Sequence, residues 1–265
     1  MSIDTQRGGP RGARRIAALI AVTALAVCLG PSAAATTAAV TQTPPSLARA
    51  TQLLVVTTAT WDTTGGTLRR YWRDPTGAWR AAGARVPVVV GRAGLAWGVD
   101  VAPDAAGEPM KREGDGKAPA GVFPLATAFG FARSAAAVGT RLPYLRLVET
   151  TECVDDPAST HYNAIVNRAR VPRVDWTSSE RMRNIDLYRL GVVVDYNAKP
   201  PAAGRGSCIF LHVWRSPRSS TAGCTAMAEP ALAELVRWLD PARRPALVQL
   251  TDAAYARRRA AWGLP

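Results

Sequence analysis

The sequence predicts a mixed α/β fold that is predominantly β and forms a single domain. Short runs rich in β-branched and aromatic residues recur between residues 52 and 99, separated by Gly, Pro and Asp turns. One segment beyond residue 229 instead places apolar residues at helical spacing. The 265 residues, 48% of them hydrophobic, are enough for a sizeable core, and the sequence contains no internal repeat.

The first half of the folded part is predicted to consist of hairpins. Their strands are residues 52–58, 67–72, 78–81, 86–90 and 95–99. Residues 120–131 and 144–149 continue as extended or irregular chain, and residues 187–196 form a further apolar strand. Between them, residues 178–188 are predicted to be helical, with Ser178 or Ser179 as the N-cap.

The C-terminal part is predicted to contain one amphipathic helix and one strand. Pro230 fits a first helical turn, and Pro241 ends the helix. The apolar residues at helical spacing between them are Leu232, Leu235, Val236 and Leu239. Residues 246–251 return as a strand, and residues 252–265, which include three consecutive arginines, are expected to be an exposed basic tail.

The N-terminus has the pattern of a signal peptide over residues 1–35. Four arginines precede a fourteen-residue apolar stretch from Ile16 to Leu29, and three alanines from Ala33 offer a cleavage site. Fourteen residues fall short of the roughly 20 that span a bilayer, so we expect a secreted protein without a permanent membrane anchor. Residues 36–50 are rich in Thr, Ala, Pro and Ser and are predicted to be a flexible leader before a folded domain at residues 51–251.

The chain is strongly basic, with 33 Lys and Arg, 20 Asp and Glu, and a formal net charge of +13. Cleavage of residues 1–35 removes four Arg and one Asp and lowers the charge to +10. Such a charge suits anionic cell-wall polymers, and export argues against nucleic acid as the partner. A second interpretation stays open, in which the arginines reflect composition bias and a solvated surface.

The chemically most informative residues are His212, one of two histidines, and Cys224, which follows Thr221-Ala222-Gly223. A neighbouring imidazole can take the proton of a cysteine thiol and make it a nucleophile. A small residue before the cysteine lets backbone amides approach an oxyanion, so Gly223 and Cys224 are predicted to supply those amides. The alternative is a core histidine beside a buried structural thiol.

Strand geometry selects Cys224 rather than Cys208 as the nucleophile. Residues 207–214 read as a strand in which Cys208 and His212 share a face. Four residues of strand separate them by about 13 Å, too far for proton transfer. Cys224 instead follows a turn rich in Arg, Ser, Pro and Gly that can fold the chain back towards the imidazole.

Metal and cofactor sites are not predicted. The histidines and cysteines lack zinc-ligand spacing, and the segment around Asp115 lacks the Gly-Lys-Ser/Thr ending of a phosphate loop. The residue chemistry alone therefore indicates a thiol acyl-transfer enzyme that needs no cofactor.

Residues 206–227 (GSCIFLHVWRSPRSSTAGCTAM) resemble the active-site segment of the L,D-transpeptidases, the YkuD-type catalytic domains of bacterial cell-wall enzymes. Residues 91–98, 115–130, 155–163 and 192–197 also resemble blocks of that family, and together they cover residues 51 to 251. The resemblance implies a β-rich catalytic domain that acts on peptidoglycan stem peptides, with His212 matching the family's usual base. A short loop and a Thr-Ala-Gly-Cys turn indicate a subgroup in which Ala222 replaces the family's second histidine.

Four further residues are candidates for the substrate site. Asp156 is expected to order a loop near the cleft, and Tyr144 and Trp214 are candidates to line it, with aromatic core packing as the alternative. A backbone carbonyl is the expected partner that orients His212, and Ser207 or Thr221 remains an alternative for that role. Thr221 is also a candidate for substrate binding.

Two questions stay open at this stage. In an oxidising space Cys153 and Cys208 can form a disulfide, but two separate buried thiols fit the sequence nearly as well. The same acyl-enzyme serves a transferase or a hydrolase, and a non-catalytic wall-binding domain with a decayed site is the third class. Oligomeric state is not indicated.

Overall fold

The computed structural model describes residues 43–101 and 103–265, and its central feature is a ten-stranded sheet. The predicted signal peptide and residues 36–42 of the predicted leader lie outside the described residues. The strands are, in chain order, β1 (Gln52–Thr58), β2 (Gly65–Arg73), β3 (Trp79–Val89), β4 (Leu95–Trp97), β5 (Ala118–Gly130), β6 (Tyr144–Arg146), β7 (Thr151–Val154), β8 (Ile165–Asn167), β9 (Ser179–Arg181), β10 (Leu190–Val194), β11 (Phe210–Val213), β12 (Thr225–Met227) and β13 (Ala246–Thr251). The helices are α1 (Pro45–Arg49), α2 (Ala135–Val138), α3 (Glu229–Trp238) and α4 (Asp252–Trp262).

Eight strands of the large sheet close on themselves. The order is β10-β11-β12-β3-β2-β1-β13-β5, and β10 also pairs with β5. Strands β4 and β6 add to β5. Closure pairs the edges that an open sheet would leave exposed. The fold class predicted from the sequence, mixed α/β and predominantly β, is confirmed.

A second, three-stranded sheet has the order β8-β7-β9. The disulfide between Cys153 on β7 and Cys208 just before β11 attaches this small sheet to the large one. The structure thus decides between the two interpretations of these cysteines in favour of the disulfide. Only Cys224 remains a free thiol in the described chain, and it is buried.

The buried side chains form two clusters. The larger lies within the closed sheet and under α3 and α4, and the smaller joins the second sheet to β11. The smaller cluster consists of Phe129, Leu147, Cys153, Met182, Tyr188, Cys208, Phe210 and Cys224. The thiol therefore lies in an apolar environment where the two sheets meet.

Several element predictions are confirmed. Strands β1 and β13 have the predicted bounds, and α3 begins with Glu229-Pro230 and buries Leu232, Leu235 and Val236. The two strands predicted at residues 78–81 and 86–90 are instead one strand, β3. Gly83, at φ +71°, allows a bulge there without breaking the pairing with β2.

The helix predicted at residues 178–188 is wrong. The segment forms β9, and two 3₁₀ turns follow it at Met182–Asn184 and Asp186–Tyr188. Ser179, the expected cap, donates its hydroxyl hydrogen bond to Glu152 at 2.8 Å, and Glu180 pairs with Cys153 of β7. Pairing with β7 outcompetes the local helical preference, which is a weak determinant by itself.

The predictions for the two ends of the described chain are also wrong in part. Part of the predicted flexible leader forms α1, whose Leu47 is fully buried. The predicted exposed tail forms α4, in which Arg258 is 4% and Trp262 1% exposed. Arg258 stacks over Trp97 and pairs with Asp104, so this arginine belongs to the packed structure rather than to an exposed basic segment.

Candidate active site

The predicted base, His212, lies on β11, and the predicted nucleophile, Cys224, directly precedes the parallel strand β12. In the register of β11 and β12, His212 lies opposite Ala226. Cys224 precedes Ala226 by two residues and so lies on the same face as His212. Both side chains line one cavity of about 230 Å³. The turn between the strands folds the chain back, as the sequence predicts.

The Cys224 thiol is 5% exposed and contacts the backbone of the strand beside it. Its sulfur accepts a hydrogen bond from the Phe210 amide at 3.3 Å and donates to the Cys208 carbonyl at 3.4 Å. The Tyr188 side chain lines the same cavity and belongs to the same buried cluster as Cys224. Burial, followed by the negative charge of Glu180, raises the pKa of Cys224 to about 12. The resting thiol is protonated at neutral pH.

The His212 ring is held in a neutral form. Its Nδ1 hydrogen-bonds the Val213 carbonyl at 2.8 Å, which is the backbone partner that the sequence favours over Ser207 and Thr221. With Nδ1 donating to that carbonyl, Nε2 is the nitrogen that can accept a proton. Burial lowers the pKa of His212 to about 4. Among the described residues the thiol's hydrogen-bond partners do not include His212, whose ring instead packs edge-on against Tyr188 at 5.2 Å between centroids.

The turn before the nucleophile is closed by Thr221. Its hydroxyl donates to the Cys224 carbonyl at 2.6 Å and accepts from the Gly223 amide at 3.2 Å. The Gly223 amide is thus bound to Thr221 in this structure, and its role in stabilising an oxyanion stays a prediction. A Cβ at residue 223 would lie 3.2 Å from the Lys117 carbonyl oxygen, a close contact that glycine avoids.

Two of the other candidate residues lie in the cavity and two do not. Trp214 and Thr221 line it with His212 and Cys224. Tyr144 donates to the Ala132 carbonyl at 3.2 Å and packs against the main core, which corrects its assignment to the cleft. Asp156 accepts hydrogen bonds from the amide and the hydroxyl of Thr177, which lower the pKa of Asp156, and it orders its loop as expected without lining the cavity.

A second cavity, of about 200 Å³, lies on the other side of the thiol. Cys224, Ala222 and Glu180 line both cavities. Three carboxylates, those of Glu113, Asp155 and Glu180, line the second one. The Oδ1 atom of Asp155 is buried without a hydrogen-bond partner among the described residues. A larger cavity, of about 680 Å³ between α1 and α4, does not include the thiol.

Sequence reasoning missed Tyr188 and Glu180. The Tyr188 hydroxyl donates to Glu180 Oε2 at 2.7 Å, and burial raises the pKa of Glu180 to about 7. Repulsion from Asp155 and Glu113 adds to that rise. No sequence signal marks this pair, because residues 178–188 read as an amphipathic helix and the pairing of β9 with β7 is what brings Glu180 to the thiol.

The described residues contain no group of three or more His, Cys, Asp or Glu side chains that could hold a metal ion. No helix in residues 43–101 and 103–265 is long and apolar enough to cross a membrane.

The comparisons with known proteins give one match. The model of the L,D-transpeptidase catalytic domain, YkuD, matches residues 57–248. No curated protein and no solved structure matches the chain significantly. The matched stretch covers well over half of the 265 residues and includes both His212 and Cys224, so the chain belongs to the YkuD family of L,D-transpeptidase catalytic domains.

Proposed function

We propose that this protein is an exported cysteine acyltransferase that joins peptidoglycan stem peptides through a thioester on Cys224. The observation that carries the proposal is the placement of Cys224 and His212 in one cavity, with His212 fixed by the Val213 carbonyl. Membership of the YkuD family provides the substrate class, peptidoglycan peptides. Export is supported by the N-terminal sequence pattern and by the Cys153–Cys208 disulfide.

The chemistry follows in two acyl transfers. The Cys224 sulfur attacks a donor carbonyl carbon, the C–N bond breaks, and the donor amine leaves with a proton. An acceptor amine then attacks the thioester, the C–S bond breaks, and the thiol is restored. His212 is the base of the reaction, because its imidazole is neutral and Nε2 is available to exchange protons with these amines.

The mature protein incubated with defined tetrapeptide muropeptides tests this function by product mass. A crosslinked dimer is expected. A trimmed monomer would identify a hydrolase, and unchanged substrate would identify a wall-binding domain whose Ala222 marks a decayed site.

Variants test the residues in the same assay. Cys224→Ala and His212→Ala are each expected to abolish turnover with the circular dichroism spectrum retained, because one removes the nucleophile and the other the base. Cys208→Ala removes the disulfide but neither reacting group, so its turnover should fall far less. Full turnover by Cys224→Ala, or a loss confined to Cys208→Ala, would overturn the assignment.

A further inference from the structure

Two adjoining cavities outside the active site are lined by arginines. The first, of about 440 Å³, is lined by Trp72, Arg141 and Arg243 among others. The second, of about 520 Å³, includes Arg49 and Arg244 in its wall. The two cavities lie side by side because Arg243 and Arg244 are consecutive residues of one turn. We call them together the arginine groove.

The arginine groove lies at the far end of strand β2 from the thiol. Trp72 of β2 is opposite Gln52 of β1, and both line the groove. Gly65, at the other end of β2, is opposite Val89, which is itself opposite Ala226 of β12. Seven residues of strand separate Trp72 from Gly65 by about 23 Å. No residue of the groove lines either active-site cavity, so a ligand in the groove leaves the thiol free.

The groove is positively charged. Four arginines line it, and Asp240 is the one carboxylate among its described lining residues. Asp240 is already engaged, since it pairs with Arg141 at 3.5 Å and accepts a backbone amide hydrogen bond at 3.0 Å. The other three arginines are exposed, and their side chains have no hydrogen bond or salt bridge within the described part of the chain; they are Arg49, Arg243 and Arg244. Three guanidinium groups are therefore available to a ligand.

The backbone of Arg244 has a conformation that arginine rarely adopts. Its φ of +47° and ψ of 60° lie in the left-handed region, which glycine reaches freely and a residue with a Cβ does not. The described structure gives the Arg244 side chain no partner that would require an arginine there. A strained residue that packing does not explain indicates a functional role for its side chain.

The positions of these cations are fixed by backbone hydrogen bonds. Residues Pro241–Arg243 form a 3₁₀ turn, and the Arg244 amide donates to the Pro241 carbonyl at 3.0 Å. Thr51 donates from its amide and its hydroxyl to the Arg243 carbonyl, at 2.9 and 3.1 Å. Arg49, at the end of α1, is two residues before Thr51. Because the fold holds these segments together, a ligand has less backbone freedom to overcome when it binds.

We propose that the arginine groove binds a linear, phosphate-bearing polymer of the cell wall and holds the enzyme on it while the active site stays open. A guanidinium group presents paired N–H donors that match the oxygens of a phosphate, and a phosphodiester chain repeats that group along its length. Cations in two adjoining cavities suit a chain that passes through both, whereas the flat surface of a bilayer does not enter them.

The choice of a wall polymer over nucleic acid depends on export. Both polymers carry phosphates, and the N-terminal sequence pattern predicts that the protein leaves the cytoplasm. The net charge of +13 on the whole chain increases the rate at which a polyanion meets the protein, and the groove gives it a place to bind. The inference goes beyond acyl transfer at Cys224 and does not rest on it.

The test is the affinity of the mature protein for fluorescently labelled poly(glycerol phosphate), measured by fluorescence anisotropy between about 50 and 200 mM salt. The test variant replaces Arg49, Arg243 and Arg244 together by Gln. It is expected to bind at least about thirtyfold more weakly than wild type. The slope of log affinity against log salt should fall in magnitude by about 2, because three phosphate contacts are lost.

A matched control removes three arginines elsewhere. Arg85, Arg133 and Arg173 are exposed and line neither cavity of the groove. Their joint replacement by Gln changes the net charge by the same amount, and it should alter the affinity by less than about twofold because distant exposed charges are screened by salt. Equal weakening by the two triple variants would mean that binding depends on net charge alone, which overturns the groove.

Arg244→Gly separates binding from packing. Glycine removes the charge and also suits the left-handed backbone, so the thermal midpoint should stay the same or rise while the affinity falls about threefold. A midpoint that falls with an unchanged affinity would assign Arg244 to the fold and overturn its role in binding.

Phosphatidylglycerol vesicles and single-stranded DNA in the same assay identify the class of ligand. Tighter binding of wild type to either one than to poly(glycerol phosphate), or no binding to the polymer, overturns the proposal. The triple groove variant should turn over soluble muropeptides at the wild-type rate, and a reduced rate would contradict the separation of groove and active site. Muropeptides left unchanged by wild type would overturn the proposed function alone, because the binding measurement does not involve Cys224.

Discussion

At the scale of single residues, the site combines two buried groups whose pKa values move in opposite directions. Burial lowers the pKa of His212 from 6.5 to about 4 and raises that of Glu180 from 4.5 to about 7. Both residues are therefore uncharged near pH 5.5 in the folded protein, while in the unfolded chain both are charged. The resting site avoids buried charge, and reaction requires charge to be created in it.

These two pKa shifts predict that His212 and Glu180 make opposite contributions to the pH dependence of the unfolding free energy. Between pH 4 and 6.5 the unfolded chain binds more protons at residue 212 than the folded protein, so wild-type stability falls as pH falls, by about 3 kcal/mol over the full shift. Between pH 4.5 and 7 the folded protein binds more protons at Glu180, so stability falls as pH rises. His212→Ala should remove the first slope and Glu180→Gln the second.

Urea unfolding at pH 4.5, 5.5 and 7.5 measures both effects. The difference between wild type and His212→Ala should shrink as the pH is lowered, and Glu180→Gln should gain stability over wild type as the pH is raised. Differences that do not change with pH would contradict the burial of these two groups in the folded protein.

At the scale of elements, one disulfide links the small β8-β7-β9 sheet covalently to the segment before β11. Cys153 and Cys208 are 55 residues apart in sequence, and the sheet they attach carries Glu180. Side chains of the sheet reinforce one another through buried Glu152, which accepts hydrogen bonds from Trp176, Ser179 and Arg168. The sheet is thus well bonded within itself, and one disulfide and the smaller buried cluster attach it to β11.

Loss of the disulfide should therefore loosen the small sheet more than the large one. Closing a 55-residue loop stabilises by about 4 kcal/mol in the chain-entropy model, so Cys153→Ala with Cys208→Ala is expected to lower the unfolding free energy by up to that amount. Hydrogen exchange should quicken in β7, β8 and β9 and stay slow in β1 and β13. Cys224→Ala, which removes a cysteine but not the bridge, is the control, and equal exchange in the two proteins would contradict the tethering role.

At the scale of the whole molecule, the C-terminal segment completes the core of the closed sheet. The Trp262 side chain is 1% exposed and lies against Arg258, which also stacks over Trp97 of β4. Arg258 and Arg257 both pair with Asp104. Of the three consecutive arginines, Arg258 is therefore buried, whereas Arg257 and Arg259 are exposed, so they do not form one basic surface.

Truncation of Trp262 should consequently behave as a core substitution. Trp262→Ala is expected to lower the unfolding free energy by about 3–5 kcal/mol because it leaves a cavity beside β4. Arg259→Ala, at an exposed position of the same helix, should change it by less than about 0.5 kcal/mol. Urea unfolding of both variants measures the contrast, and similar values for the two would restore the interpretation of residues 252–265 as a tail.

Elements whose side-chain pattern matches their environment could be predicted from the sequence alone. Strands β1 and β13 and helix α3 have apolar patterns that remain buried in the structure, and the spacing of His212 and the Thr-Ala-Gly-Cys turn predicted that the chain folds back between imidazole and thiol. These features depend on local spacing, which the sequence contains directly.

The surroundings of the thiol, by contrast, depend on long-range contacts. Glu180 and Tyr188 line the same cavity as Cys224, where β9 pairs with β7 and a disulfide between residues 55 positions apart links β7 to the segment before β11. The same long-range pairing turned a predicted helix into a strand, and packing against Trp97 turned a predicted tail into helix α4. Local propensity is worth a few tenths of a kcal/mol per residue, about an order of magnitude less than burying one large side chain, so burial prevailed where the two disagreed.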